Sequence, residues 1–194
     1  MIHQASKQIA DFLLSNGIIE EHETDIYVYG YEAFISGVID ICIALIIGVM
    51  FKNTINTIIF LIEFISVRIY TGGYHAKTYI KCKLMFSMIV ISVMILQRFD
   101  LPLVFSILVV LGFVLTVFIF APIENKNKPL DNEQKAKYCK ISRMLSIVWS
   151  VAAVLTYFYF RSISNTIVCT LFFIVLLMAA EIPRKEVLSD EENR

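Results

Sequence analysis

An all-α integral membrane fold is predicted for this 194-residue chain. It has about six transmembrane helices, an N-terminal amphipathic interfacial helix, and both termini on the inner side. Three observations predict it. Hydrophobic residues make up 58% of the chain and the mean hydropathy is +0.72, against about 45–50% apolar in a soluble domain. The apolar residues are gathered into blocks rather than alternating, the pattern of helices that cross a bilayer. The basic residues fall unequally on the two sides of those blocks.

Residues 2 to about 16 place Ile2, Ala5, Ile9, Phe12 and Leu13 on one face, with Gln4, Lys7, Gln8 and Asp11 elsewhere. This is an amphipathic helix, too short and polar to span, suited to the membrane surface. The acidic residues Glu20, Glu21, Glu23 and Asp25 form a solvated connection. No basic region, apolar core and small-residue cleavage site mark a signal peptide. Ala33 to Phe51 is apolar except for Asp40, and Thr54 to Val67 is a shorter run containing Glu63. Leu84 to Gln97 extends back as a helix to about Tyr79. Leu101 to Ile123 is uncharged, Glu124 to Lys140 is polar and basic, and Met144 to Phe160 and Ser162 to Ala180 are split by Arg161. Each run is judged against the roughly 20 helical residues that a bilayer core requires.

With six spans and both termini inside, 14 of the 17 basic residues lie inside; only Lys52, Arg98 and Arg161 lie outside. That asymmetry is the positive-inside signature. The chain reads as one membrane-embedded unit. Residues 1–26 are the interfacial helix and acidic connection, 27–182 the transmembrane core, and 183–194 a cytoplasmic tail. Lys and Arg balance Asp and Glu, 17 against 17, which leaves no nucleic-acid footprint.

Between the second and third spans the chain reads Arg68, Ile69, Tyr70, Thr71, Gly72, Gly73, Tyr74, His75, with Cys82 seven residues after the histidine. A cysteine nucleophile needs a base or cation to hold it as thiolate, and histidine is the usual partner. Thr78 is a good N-cap, which places Cys82 in the first helical turn. There the helix dipole and Lys77, Lys81 and Lys83 favour a thiolate. On one straight helix, residues seven apart stand about 10 Å apart along the axis. A catalytic pair therefore requires a break between His75 and Cys82, which Gly72 and Gly73 permit. The bland alternative is a chance juxtaposition at the membrane surface, with the lysines acting as topology signals and headgroup contacts.

Arg68, Gly73, His75, Ala76 and Cys82 match the motif of the accessory gene regulator B (AgrB) family of bacterial quorum-sensing membrane peptidases. A second stretch, from Ala121 and Pro122 through Lys126 and Lys128 to Pro129 and Leu130, resembles that family's Ala-Pro, basic, Pro loop. The resemblance implies a membrane cysteine endopeptidase, with Cys82 as nucleophile and His75 as its base. It implies an AgrD-like precursor peptide cut at its C-terminal side. A Cys82 thioester is then closed into a thiolactone or lactone. It also implies a bacterial multi-pass cell-membrane protein with its site facing the cytoplasm, partners limited to precursor and bilayer, and room for a homodimer.

Arg68 either binds precursor carboxylates, pairs with Glu63, or snorkels at a helix end. Glu63 and Asp40 are supporting candidates because ionisable groups within spans tend to be functional, a structural ion pair being the alternative. Lys126 and Lys128 either meet the acidic part of the precursor or anchor the loop by charge. Cys42, Cys139 and Cys169 read as small hydrophobes, and His3 and His22 as interface residues. No cofactor is expected, and no metal, since His75 and Cys82 fall short of four zinc ligands. The competing function is a non-enzymatic peptide exporter or membrane regulator, with Asp40 and Glu63 on a transport path.

Overall fold

The computed structural model describes residues 2–73, 78–123 and 131–181. The described residues are helical and contain no strand. The helices are α1 (Ile2–Ser15), α2 (Thr24–Met50), α3 (Thr54–Thr71), α4 (Tyr79–Leu96), α5 (Leu103–Phe120), α6 (Asn132–Tyr159) and α7 (Arg161–Ala179). A single 3-10 turn, Glu21–Glu23, sits before α2. Five helices (α2, α3, α5, α6 and α7) are long and apolar enough to cross a membrane. Helix α4 lies where the remaining expected span falls.

Amphipathic α1 buries Ser6 and Ala10 and packs against α2. His3 Nδ1 meets Glu32 Oε1 at 2.6 Å, joining the start of α1 to a point eight residues into α2. The acidic connection is shorter than the sequence suggests. Glu20 and Glu23 form a capping box, with the Glu20 amide donating to Glu23 Oε2 at 3.1 Å. Helix α2 then starts at Thr24, nine residues before the apolar run. Helix α6 likewise starts at Asn132, behind the Asp131 cap, so residues 132–140, read from sequence only as polar and basic, are helical. Glu133, Gln134, Lys135, Ala136 and Lys137 are good helix formers, and apolarity marks where a helix is greasy rather than where it begins.

The chain passes alternately between two ends of the bundle. At one end lie Gly48 of α2, Asn56 and Thr57 of α3, Gln97 after α4 and Asn165 of α7. At the other lie Asp40 of α2, Arg68 of α3, Cys82 of α4, Ile123 after α5 and Leu177 of α7. Helix α7 is the central element, packed against α3, α4, α5 and α6. It is buried from Ser164 through Leu171 without interruption. Helix α5 is the converse, the most apolar span and largely exposed. Side chains on the outside of a membrane bundle meet lipid, so hydropathy and burial part company there.

The core joins Phe60, Phe64 and Phe86 in a ring cluster with Val67, Val90, Val93, Phe113, Leu171 and Ile174. Helices α2 and α3 approach most closely at Gly48, where an added Cβ would collide with Thr57. Ala44, one turn earlier, is fully buried. These two positions form a small-xxx-small face that admits a neighbouring backbone.

Candidate active site at the turn between α3 and α4

Helix α3 ends because Gly72 and Gly73 both take positive φ, +70° and +117°. Residues with a Cβ avoid that conformation. Arg68 folds back over this terminus and donates from its guanidinium to the Gly72 carbonyl. Gly73 packs so closely that a Cβ there would meet the Arg68 guanidinium and stand 3.2 Å from the Leu177 carbonyl. Thr71 accepts a backbone bond from Ile123 at 2.9 Å, and Gly72 and Ile123 form a parallel β-bridge. The Gly-Gly segment and the Ala121, Pro122, Ile123 segment, fifty residues apart, are thus joined. The peptide between Ala121 and Pro122 is cis.

Thr78 is extended (φ −131°, ψ 145°) and caps α4, its hydroxyl accepting from the Lys81 amide at 3.4 Å. The Cys82 amide makes the first helical bond, to the Thr78 carbonyl, at 3.0 Å. Cys82 therefore sits in the first turn of α4. An extended Thr78 means that no continuous helix runs from Cys82 back past the cap. His75 lies outside the described residues, as do Lys126 and Lys128, so the expected pairing of His75 with Cys82 falls there too.

Cys82 is half-buried and lines a cavity of about 280 Å³ between α2, α3, α4 and the end of α7. Arg68 and Asp40 line the same cavity. Arg68 is within electrostatic reach of Cys82 and of Glu181, just beyond α7. Asp40 accepts from Lys83 Nζ at 3.1 Å, and that ammonium also donates to the Ser36 carbonyl and hydroxyl, each at 3.1 Å. Lys83, read from sequence as a headgroup or topology residue, is thus fastened to α2. Its partner had a findable signal: an acid inside an apolar run needs a cation near its own level, and Lys83 adjoins Cys82 on the same side.

Glu63 does not join the site. It is fully buried, sits beside Cys169 and Thr170 of α7, and neither carboxylate oxygen has a geometrically sound hydrogen bond. Of the alternatives open for Arg68, pairing with Glu63 is not the one seen; its guanidinium turns to Gly72. Cys169 is buried, Cys139 is half-buried and Cys42 is exposed on a spanning helix.

The arrangement offers a cysteine at a capped helix start, on an apolar cavity, with a guanidinium near its sulfur. Thiolates are favoured at helix N-termini and near cations, so the geometry suits a nucleophilic cysteine. The same chain resembles known proteins over most of its length. AgrB-like protein 2 of Clostridium perfringens (strain 13 / Type A) is 33% identical over 148 residues, 72% of this chain and 69% of the relative. AgrB-like protein 1 of the same strain is 27% identical over 177 residues, 91% of this chain and 92% of the relative. No solved structure matches the chain at a significant level. The Accessory gene regulator B family model matches residues 6–180, and the chain belongs to that family, AgrB, which ties it to the agr quorum-sensing system.

Proposed function

We propose that this protein is a membrane cysteine endopeptidase that processes an AgrD-like peptide precursor, with Cys82 as nucleophile and His75 as general base. The observation that carries the reading is the placement of Cys82, in a Thr78-capped first turn on the wall of a cavity shared with Arg68. The Cys82 sulfur attacks a precursor carbonyl. The thiol proton passes by way of His75 to the departing amide nitrogen. A thioester forms, and the C-terminal part leaves as an amine. A cysteine or serine side chain of the retained peptide then attacks the thioester carbonyl, closing a thiolactone or lactone. Its proton returns the Cys82 thiolate to thiol. Ring closure without hydrolysis needs water excluded, which an apolar cavity favours.

In this reading α4 also crosses the membrane, as the third of six spans, the bundle core spans residues 27–182, and the Cys82 end faces the cytoplasm of a bacterial cell. Gly72 and Gly73 hold the turn, and Lys126 and Lys128 receive the acidic part of the precursor. Glu63 supports α3 against α7, and a homodimer is admitted. The test is processing by purified protein in lipid vesicles, followed by mass spectrometry. The unaltered protein should give cyclic product and an acyl adduct on the Cys82 peptide. Cys82→Ala should give neither, and His75→Ala should be slower by about 10²–10⁴-fold. Normal processing by both variants would sink the peptidase reading, and exclusively linear product would remove the ring-closure step.

A further inference from the structure

The cavity at Cys82 has two unlike ends. Near Cys82 its wall is polar, with Arg68 committed to the Gly72 carbonyl and Asp40 to Lys83. From there it runs along two helices into the bundle. On α4 it passes Met85 and Phe86 to Ile89, and on α3 it passes Ile65 and Phe64 to Leu61. Both paths are seven residues long, about 10 Å at the helical rise. Phe64 and Phe86 meet edge-to-face, with centroids 5.6 Å apart, and form a rigid part of the wall. No polar side chain lines the deep end, so water there finds few partners.

We propose that this cavity is the specificity pocket of the reaction. It takes the side chain of the precursor residue whose carbonyl Cys82 attacks, and selects a large apolar one, aromatic or branched aliphatic. This rests on the reading of Cys82 as nucleophile. Three physical arguments support it. Cys82 lines the pocket, so a chain joined to that sulfur can place a neighbouring side chain in it. After the amide bond breaks the thioester to Cys82 retains the acyl part, and a site on the acyl side is what orients it for ring closure. Its volume of about 280 Å³ exceeds the roughly 150 Å³ of an apolar cavity known to admit benzene. The alternative filling is a lipid acyl chain. A pocket about 10 Å deep is shorter than half a bilayer core of about 30 Å, so it suits one side chain better than a tail.

Gly37 supplies the decisive probe. It lines the cavity, and a Cβ added there meets nothing within 4 Å. Gly37→Ala therefore adds a methyl without displacing a neighbour, and Gly37→Leu extends the side chain further from the same point. The experiment uses the full-length protein in phosphatidylglycerol vesicles of two acyl lengths. The precursors differ only at the residue carrying the scissile carbonyl: Phe, Leu, Ala or Asp. The unaltered protein should favour Phe and Leu over Ala and Asp in kcat/KM by at least about tenfold. Gly37→Leu should shrink that ratio by a similar factor, and Ile65→Ala should move the preference toward the larger ring. Should Gly37→Leu fail to fold, Gly37→Ala and Ile65→Ala read the same ratio. Cleavage indifferent to that residue, or an unchanged ratio in the variants, overturns the pocket while leaving Cys82 as nucleophile. A dependence on lipid chain length in place of peptide sequence overturns it in favour of a tail. Absence of both cleavage and acyl adduct in the unaltered protein removes the nucleophile and the pocket together.

Discussion

At the end of the bundle remote from Cys82, buried polar side chains answer one another. Asn56 donates to Gln97 Oε1 at 2.8 Å and to Ser162 Oγ at 2.6 Å, and Ser162 donates to the same Gln97 oxygen at 2.6 Å. Asn165 reaches the Phe99 carbonyl at 2.8 Å. Asn56 and Gln97 are 3% and 2% exposed. At the Cys82 end the polar groups Arg68 and Asp40 are charged and border an open space, which Cys82 also lines. The first arrangement is a clasp that ties the start of α3, the end of α4 and the start of α7. The second is a set of charges fastened to partners, Asp40 to Lys83 and Arg68 to Gly72, around a space. Neutral amides that bond across helices fix helix ends at modest cost. Charges around a cavity are kept where a ligand is to arrive.

The sharpest way to break this contrast is to exchange what each end loses on truncation. Cys82→Ser should lower precursor processing by several orders of magnitude with little change in thermal unfolding in detergent. Gln97→Ala should do the reverse, leaving cleavage by folded protein near normal while removing about 1 kcal/mol of stability. Interhelical hydrogen bonds in membranes average about 0.6 kcal/mol each, and Gln97 joins two. Equal activity losses in the two variants would erase the distinction between clasp and site.

The Asp40–Lys83 pair sharpens the comparison from within the Cys82 end. Its side chains are 23% and 18% exposed, so removing one partner strands a charge at the cavity wall. Lys83→Ala should cost about 2–3 kcal/mol, somewhat below the value for a fully buried pair. The doubly neutral Asp40→Asn, Lys83→Met variant should recover much of it. A double-mutant cycle in unfolding free energy reads the coupling. Strict additivity would mean that the pair fastens nothing.

Gly73→Ala comes next. The residue sits at φ +117°, where a side chain is strained by about 1–3 kcal/mol, and its Cβ would press on Arg68 and the Leu177 carbonyl. Stability should fall by about 2 kcal/mol, and processing should fall with it, since Arg68, which lines the cavity with Cys82, contacts this glycine. The far end offers no such site: the described glycine nearest it, Gly48, is helical and closes α2 onto Thr57. An Arg68→Lys variant tests the same contact. It keeps the charge but loses the fork that lets a guanidinium hold Gly72 while facing the cavity.

How far these features were legible in sequence follows the same division. The helices were readable from blocks of apolarity, and Thr78 as a cap from its place before Tyr79 and the α4 run. The starts of α2 and α6 were not, because Thr24 to Glu32 and Asn132 to Arg143 are helical without being greasy. The clasp was invisible: Asn56, Gln97 and Ser162 are ordinary polar residues near span ends until the fold brings residues 41 and 106 positions apart into contact. Asp40 and Lys83 were each noticed, but pairing across 43 residues is a tertiary fact. Glu63 shows the limit from the other side. An acid within a span drew attention to itself, yet the fold turns it toward α7 and away from the cavity.

The smallest expected effect belongs to neither end. Gly112 lies mid-way along α5, and a Cβ there meets nothing within 4 Å. Gly112→Ala should stabilise by about 0.5–1 kcal/mol, since glycine loses the most backbone freedom on entering a helix. Processing should be unchanged, because none of the residues lining the cavity belongs to α5, and one link from α5 to the site is the segment beyond its C-terminus, where Ile123 pairs with Thr71 and Gly72. A change in processing would show that the position of α5 is transmitted through that bridge to Arg68. The two ends would then be coupled through the bundle, and the separation of clasp from site would have to be replaced by a single mechanical unit.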